Sequence, residues 1–323
     1  MHYLNKKKIA FRLAAGIFSD KPFQCLYHYE SAAEKKIRWT AESFAPDKIF
    51  FQLIRTASYA HLFEPKDCVV DLMDCFSYHY LLRSKRSNLV AGYFYQREYV
   101  RTKKYESQIL KKYSSVLIIS QRDKLLLPEV HDTVLVVPNG ALLPSEGKQT
   151  KCIDILFTGN LNYQPNIDAA GFLCRQIVPL LIKNNPHLKI MIAGANPHHS
   201  IWKFQSKEIQ ICSDITDMPA LKKQARLFIA PMFLNTGIQN KILEAMACGV
   251  PVLTTPQAAE AIDATPSRHL FIALSAGEFA KEAIKILEMP SGDIEKICHN
   301  ARQLVIENFN WEKNCAIMGP FFS

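Results

Sequence analysis

Residues 152–194, CIDILFTGNLNYQPNIDAAGFLCRQIVPLLIKNNPHLKIMIAG, decide the architecture. The segment opens on an apolar run, CIDILFTG, and turns through Gly-Asn-Leu-Asn. It continues through PNIDAAGFLCRQIVPLLIKNN with apolar residues at helical spacing and closes on a second apolar run, LKIMIAG. Runs that are apolar throughout, rather than alternating, suit parallel strands covered on both faces. A helix between two such strands implies a right-handed crossover. The pattern recurs in IQICSD (209–214), RLFIAP (226–231), VPVLTT (250–255) and LFIAL (270–274), with MPALKKQA as a further helix. The expectation is an α/β, doubly wound, Rossmann-like domain.

The first half is a sparser version of the same pattern. DKIFFQLI (47–54), CVVDLMD (68–74), SSVLIIS (114–120) and TVLVVP (133–138) read as strands. ESAAEKKIRWTAESF and the stretch from Tyr78 to Tyr113 read as helices, the latter one long basic helix. VPNGALLPSEGKQT (137–150) is rich in turn residues and reads as the linker. The expected organisation is an incomplete N-terminal Rossmann-like domain over 1–142, a second over 143–302, and a C-terminal helix over 303–323 crossing back to the first. Ligands of such sheets bind at the carboxyl ends of the strands, so function belongs in the loops that follow them.

With 323 residues, 48% of them hydrophobic and 21% charged, the chain can form two ordinary cores. The nine cysteines form no CxxC pair, which argues against a disulfide framework or a structural zinc site and for a reducing compartment. Arg12 interrupts the apolar run near the amino end, and no stretch approaches about 20 apolar residues, so a cytoplasmic protein is expected. The net charge of +9 is concentrated in residues 1–142, where 22 Lys and Arg face 14 Asp and Glu. Nucleic acid, an anionic membrane, a phosphorylated substrate or a merely basic surface would each account for it. No nucleic-acid-binding module is recognisable, so nucleic acid is not expected as a partner.

The stretch NTGIQNKILEAMACGVPVLTT (235–255) places a polar helix start directly after the strand RLFIAP. The helix is expected to begin near Gly237–Gln239, with its first amides free to hold an anion. Lys241 lies a turn further in, and Glu244 follows Gly237 by seven residues, on a similar face. Glu244 is suited to accept ribose hydroxyls. Alternatively, it is a surface residue paired with Lys241.

GIQNKILEAMACGVPVLTT resembles the nucleotide-sugar signature of the family 4 glycosyltransferases, retaining enzymes of the GT-B fold. VPNG (137–140), LFTGNLNYQPNIDA (156–169), DITDMPAL (214–221) and FNWEKN (309–314) are similar to further motifs of that family in matching order. QLIRTASY, DLMDCFS and RTKKYE resemble the acceptor-domain pattern of its bacterial polysaccharide members. The resemblance implies a donor site in which Glu244 positions the ribose of a nucleotide diphosphate sugar. Gly237, Ile238 and Gln239 would hold the diphosphate, with Asn240 and Lys241 next to them. Asp214, Ile215 and Asp217 would border the base, and Asn235 and Thr236 would face the sugar. Gly159 and Asn160 would stand where relatives carry a diphosphate-binding arginine.

Three departures accompany the resemblance: Thr236 replaces a glutamate common in the family, the Asn160 region replaces the arginine and lysine common after the first donor strand, and the usual N-terminal strand and glycine-rich loop are not seen. The implied reaction is sugar transfer with retention to a glycan or lipid-linked acceptor, with neither metal nor other cofactor required. Asp74, expected at the end of a strand, is a candidate catalytic residue or a helix cap. Gln52 and Arg55 are further acceptor-side candidates. Basic helices around residues 79–112 suggest peripheral contact with an anionic membrane at the inner face of the cytoplasmic membrane. The alternative function is a catalytically weak or inactive nucleotide-sugar-binding or scaffold protein of a polysaccharide assembly system.

Overall fold

The computed structural model describes residues 6–129, 133–145, 147, 149–233 and 236–322. By contacts the chain divides into two units. One comprises the residues up to Pro138 together with those from Cys315 onward, and the other comprises Asn139–Asn314. Residues 302 and 303 lie inside the helix Ser291–Asn308.

The first unit holds the strands β1 (Ile49–Gln52), β2 (Cys68–Asp71), β3 (Ser115–Ile118) and β4 (Val134–Val136). They form a four-stranded parallel sheet in sequential order, in registers such as Phe51 with Val70 and Val116 with Val134. All four residues of β2 are buried. The core joins Phe51, Val70, Val116 and Val134 to Ile54, Leu72 and Ile109. Burying side chains of this size contributes about 1.5–3 kcal/mol each.

The second unit holds β5 (Ile153–Thr158), β6 (Ile190–Ala193), β7 (Ile209–Cys212), β8 (Ala225–Ala230), β9 (Val252–Thr254) and β10 (Phe271–Ile272). Their order is β10-β9-β8-β5-β6-β7, and every pair is parallel. Starting from β5, the chain winds outward through β6 and β7, then returns to pair β8 on the other side of β5. The winding therefore reverses between β5 and β8, and ligands of doubly wound sheets bind at the carboxyl end of that switch point. The expected α/β architecture of two Rossmann-like units is the one observed.

Two helices differ from expectation. The residues after β5 form one continuous helical run, but Leu173–Ile177 is a π-helical turn between Gln164–Phe172 and Val178–Asn184. Pro179 has no N–H to donate, and its ring crowds the carbonyl four residues back. The wider turn absorbs that conflict without ending the helix. The long basic helix of the first half is in fact a hairpin of two helices, Phe76–Arg86 and Leu89–Lys112. Asn88 starts the second by accepting a hydrogen bond from the Ala91 amide at 3.0 Å. This cap outweighs the helical periodicity that continues across it.

Candidate functional site

The loops after β5 and β8 border a cavity of about 490 Å³ in the second unit. That volume suits a small-molecule ligand. Thr158, Gly159 and Asn160 line it from the end of β5, and Gly194 and Ala195 from the end of β6. The helix Asn240–Ala247 and the three residues before it contribute Ile238, Gln239, Asn240, Lys241 and Glu244. Met218 and Lys222 come from the short helix Met218–Lys223. Gly194 makes the floor possible, because a Cβ there would lie 1.7 Å from the Gly159 carbonyl oxygen. Gly237 turns the loop into the helix with a φ of +71°.

The helix begins slightly later than expected. Its first residue is Asn240, and Gln239 precedes it without a side-chain cap. The amides of Asn240 and Lys241 therefore head the helix, one turn beyond Gly237, carrying the positive end of its dipole.

Lys241 and Glu244 are not each other's hydrogen-bond partners. Lys241 Nζ donates to Asn166 Oδ1 at 2.5 Å and to Gln239 Oε1 at 3.0 Å, and lies 5.8 Å from the centre of the Phe157 ring. Burial is the main force bringing its ammonium down to about 8. The Glu244 charge opposes that shift and the Lys222 charge adds to it. Glu244 instead forms an ion pair with Lys222, whose side chain is only 2% exposed whereas that of Glu244 is 46% exposed. The carboxylate thus compensates a buried ammonium while keeping acceptor capacity on its open side.

Two residues that sequence reasoning passed over complete the arrangement. Asn166 is buried and donates from Nδ2 to the Asn160 carbonyl at 2.9 Å while its Oδ1 holds Lys241. Lys222 anchors Glu244 from another helix. The partners lie 75 and 22 residues apart, so spacing gave no sign of either contact. Two lysines and one carboxylate face the cavity, an imbalance that favours a polyanion carrying a hydroxyl-bearing group.

The remaining donor-side candidates divide. Asn160 uses its side-chain oxygen to accept from the Asn162 amide at 3.0 Å, which fixes the turn after β5. Thr236 lies in the loop ahead of the helix. Asn235 falls outside the described residues. Asp214 is exposed, with a φ of +56°, and neither it nor Ile215 lines the cavity. Asp217 caps the helix Met218–Lys223, accepting from the Ala220 amide at 2.9 Å. From that stretch it is Met218 that reaches the cavity wall. Among the described residues, no group of three or more His, Cys, Asp or Glu is placed to hold a metal ion.

In the first unit, Gln52 ends β1, and Leu53 just beyond it has a φ of +72°. Arg55 is half-buried, with Nη1 3.5 Å from His28 Nε2. Burial foremost, and then the Arg55 charge, lowers the affinity of His28 for a proton. Asp74 does not end a strand, as had been expected. β2 stops at Asp71, and Met73 between them has a φ of +64°, its amide held by Asp71 Oδ1 at 2.9 Å. The cap position of the helix Phe76–Arg86 is Cys75, one residue beyond Asp74, and the Cys75 side chain makes no capping hydrogen bond. Glu106 and Asp123 serve that helix start: Ser77 N donates to Glu106 Oε1 at 3.0 Å and Cys75 N to Asp123 Oδ1 at 3.2 Å. Glu106 is fully buried, and burial, aided by the charge of Asp74, pushes its carboxyl up to about 7.

The family model described as "Glycosyl transferases group 1" matches residues 152–289, the segment that holds every wall of the cavity. Residues 152–289 of the second unit thus resemble the group 1 glycosyl transferases. A relative of the chain is an uncharacterized 44.6 kDa protein in the cps region of Klebsiella pneumoniae. It is 29% identical over 170 residues, covering 50% of this chain and 43% of that protein. The chain thus matches less than half the length of that relative.

Among solved structures, the fold is shared with a sucrose-phosphate synthase from Thermosynechococcus elongatus, at a TM-score of 0.69, 14% identity, and 90% and 76% coverage of the two chains. It is also shared with HepE from Anabaena in complex with UDP and glucose, at a TM-score of 0.67, 14% identity, and 89% and 80% coverage. Two Rossmann-like units, the second matching the glycosyl transferase model, constitute the GT-B fold.

Proposed function

We propose that the chain transfers a sugar from a nucleotide diphosphate sugar, with retention at the anomeric carbon, to a glycan or lipid-linked acceptor in polysaccharide assembly. The observation that carries this reading is the cavity at the β5/β8 switch point, where Lys241 is held among neutral oxygens and Glu244 is braced by Lys222. The UDP and glucose bound to HepE and the cps-region origin of the Klebsiella protein support the substrate class and the setting.

In this reading the Asn240 and Lys241 amides and the Lys241 ammonium receive the diphosphate, and the open side of the Glu244 carboxylate accepts the ribose hydroxyls. As the sugar–phosphate bond breaks, negative charge builds on the leaving diphosphate, and fixed cations stabilise it more than they stabilise the bound donor. The acceptor hydroxyl attacks from the same face, and its proton passes to the departing phosphate oxygen. Positive charge comes from the lysines and the helix start, so transfer is proposed to need no resident metal and to survive chelation. Nine scattered cysteines with no CxxC pair support a reducing, cytoplasmic location in this reading.

The test is turnover of labelled nucleotide sugars, with and without a lipid-linked acceptor, alongside UDP titration by calorimetry. UDP binding together with acceptor-dependent loss of donor is expected. UDP binding without turnover on any acceptor class would favour the scaffold alternative, and failure to bind any nucleoside diphosphate would remove both readings.

A further inference from the structure

The hairpin of helices Phe76–Arg86 and Leu89–Lys112 carries a surface that the donor cavity does not use. Buried residues of the second helix begin only at Glu98, so its first nine positions contain none. At about 1.5 Å per residue they span some 13 Å of helix. The first helix buries only Ser77, at its base. The outer half is held by contacts within the hairpin, and below its tip Phe94 stacks on Phe23 with ring centres 5.5 Å apart and Arg97 donates to the Ile17 carbonyl at 2.5 Å. Tyr80 stacks on Tyr95 with ring centres 6.3 Å apart, the Arg83 guanidinium lies 5.4 Å from the Tyr95 ring centre, and Ser84 Oγ donates to Gln96 Oε1 at 3.2 Å. This is a stalk with a defined shape, capped at its turn by Asn88.

The tip of that stalk is apolar and open to water: Leu89 is 93% exposed, Val90 84% and Tyr93 73%. Directly beneath it the first helix ends in Lys85 and Arg86, both exposed. From Phe76 to Arg97 the chain has four cationic side chains, Arg83, Lys85, Arg86 and Arg97, and no acidic one. Apolar residues at the end of a purely cationic stalk, with a tyrosine at the boundary, match the layering of a lipid interface. Leu and Val suit the acyl boundary, Tyr the interface, and Lys and Arg the anionic headgroups. A neutral protein groove that accepted the same tip would gain little from those cations, whereas an anionic lipid surface pairs with them.

We propose that this hairpin tip docks on an anionic lipid surface. The proposal rests on the transferase reading and names where that transferase works. The hairpin rises from the carboxyl edge of the first sheet, where the Ser77 amide at its base is fixed by Glu106. Docking therefore sets that edge, with Gln52 at the end of β1, near the plane in which a lipid-linked acceptor lies.

The experiment is co-sedimentation of the full chain with phosphatidylcholine vesicles, with and without phosphatidylglycerol. The wild type should sediment only with the anionic vesicles. Lys85→Gln and Arg86→Gln should each weaken the partition about fivefold. Leu89→Ser with Val90→Ser should weaken it about tenfold or more, including at low salt. Both side chains are almost wholly exposed, so the fold loses nothing by their replacement, and UDP titration should be unchanged in every variant. The proposal fails if the wild type ignores anionic vesicles, if it binds neutral vesicles equally well, or if the Leu89→Ser/Val90→Ser protein sediments like the wild type. UDP binding is read in a separate titration, so the donor reading and the docking reading fail by different measurements.

Discussion

Replacing Lys241 by Met should move donor affinity and stability in opposite directions. The side chain keeps its reach but loses the ammonium that Asn166 and Gln239 hold at 2.5 and 3.0 Å. Burial lowers this group from 10.5 to about 8, so its charged form costs the fold about 3 kcal/mol at 1.36 kcal/mol per decade. Two lost hydrogen bonds take back about 1 kcal/mol each. The net is a gain of about 1 kcal/mol at pH 7. Because the folded value is depressed, wild-type stability rises as pH climbs from about 8 to 10.5, and the variant lacks that rise.

A charge-assisted bond to a phosphate contributes about 1.5–3 kcal/mol, so UDP affinity should drop about 10- to 150-fold. Urea unfolding and calorimetric titration of the same preparation report both numbers. An affinity within twofold of the wild type would refute the diphosphate role of Lys241. A loss of affinity matched by an equal loss of stability would show that the substitution merely damaged the site.

The same ammonium sets a pH profile. UDP affinity should be level below about pH 8 and weaken by up to tenfold per pH unit above it, with Lys241→Met flat across that range in the same titrations. Glu244→Ala leaves the Lys222 ammonium buried without its carboxylate and should cost about 2 kcal/mol in urea melts. That is less than for a fully enclosed pair, because Glu244 is half open, and Lys222→Met in the same chain should recover most of it. Glu106→Gln should stabilise the protein by about 1–3 kcal/mol at pH 8 and by little at pH 5. The raised carboxyl penalises the fold increasingly as pH climbs from 4.5 to about 7, which paired melts at the two pH values would detect. Gly194→Ala forces a Cβ onto the Gly159 carbonyl and should cost about 3 kcal/mol or more and abolish UDP binding. Near-wild-type melting would mean that the floor of the cavity is looser than described.

The strands were legible because each is short and rich in Val, Ile and Leu, and parallel strands buried on both faces need that composition. The position of the cavity was legible for the same reason, since a strand–loop–helix pattern with a glycine at the turn defines the carboxyl edge from sequence alone. The pairing inside the cavity was not. Lys241 and Glu244 are three apart on one helix and invite a surface ion pair, yet each is taken by a residue from another element. Nothing in the periodicity of MPALKKQA distinguishes the buried Lys222 from the neighbouring Lys223. Asp217 was read as bordering a base, but an aspartate ahead of Met-Pro is equally a helix cap, and the cap is what forms. The break at Asn88 was missed because apolar spacing carries straight on through Leu89 and Val90, residues that pack against nothing in the core.

Leu53 and Met73 adopt a left-handed backbone, each next to the carboxyl end of a strand of the first sheet. Such a conformation costs a residue with a side chain about 1–3 kcal/mol, and glycine would escape that penalty. Any campaign that ranked variants of this chain by thermal tolerance alone would be drawn to those two positions. Its winners would carry a relaxed rim that no longer presents Gln52 and Asp74 as the parent chain does. Selection for hardiness and selection for turnover should therefore part company at Leu53 and Met73.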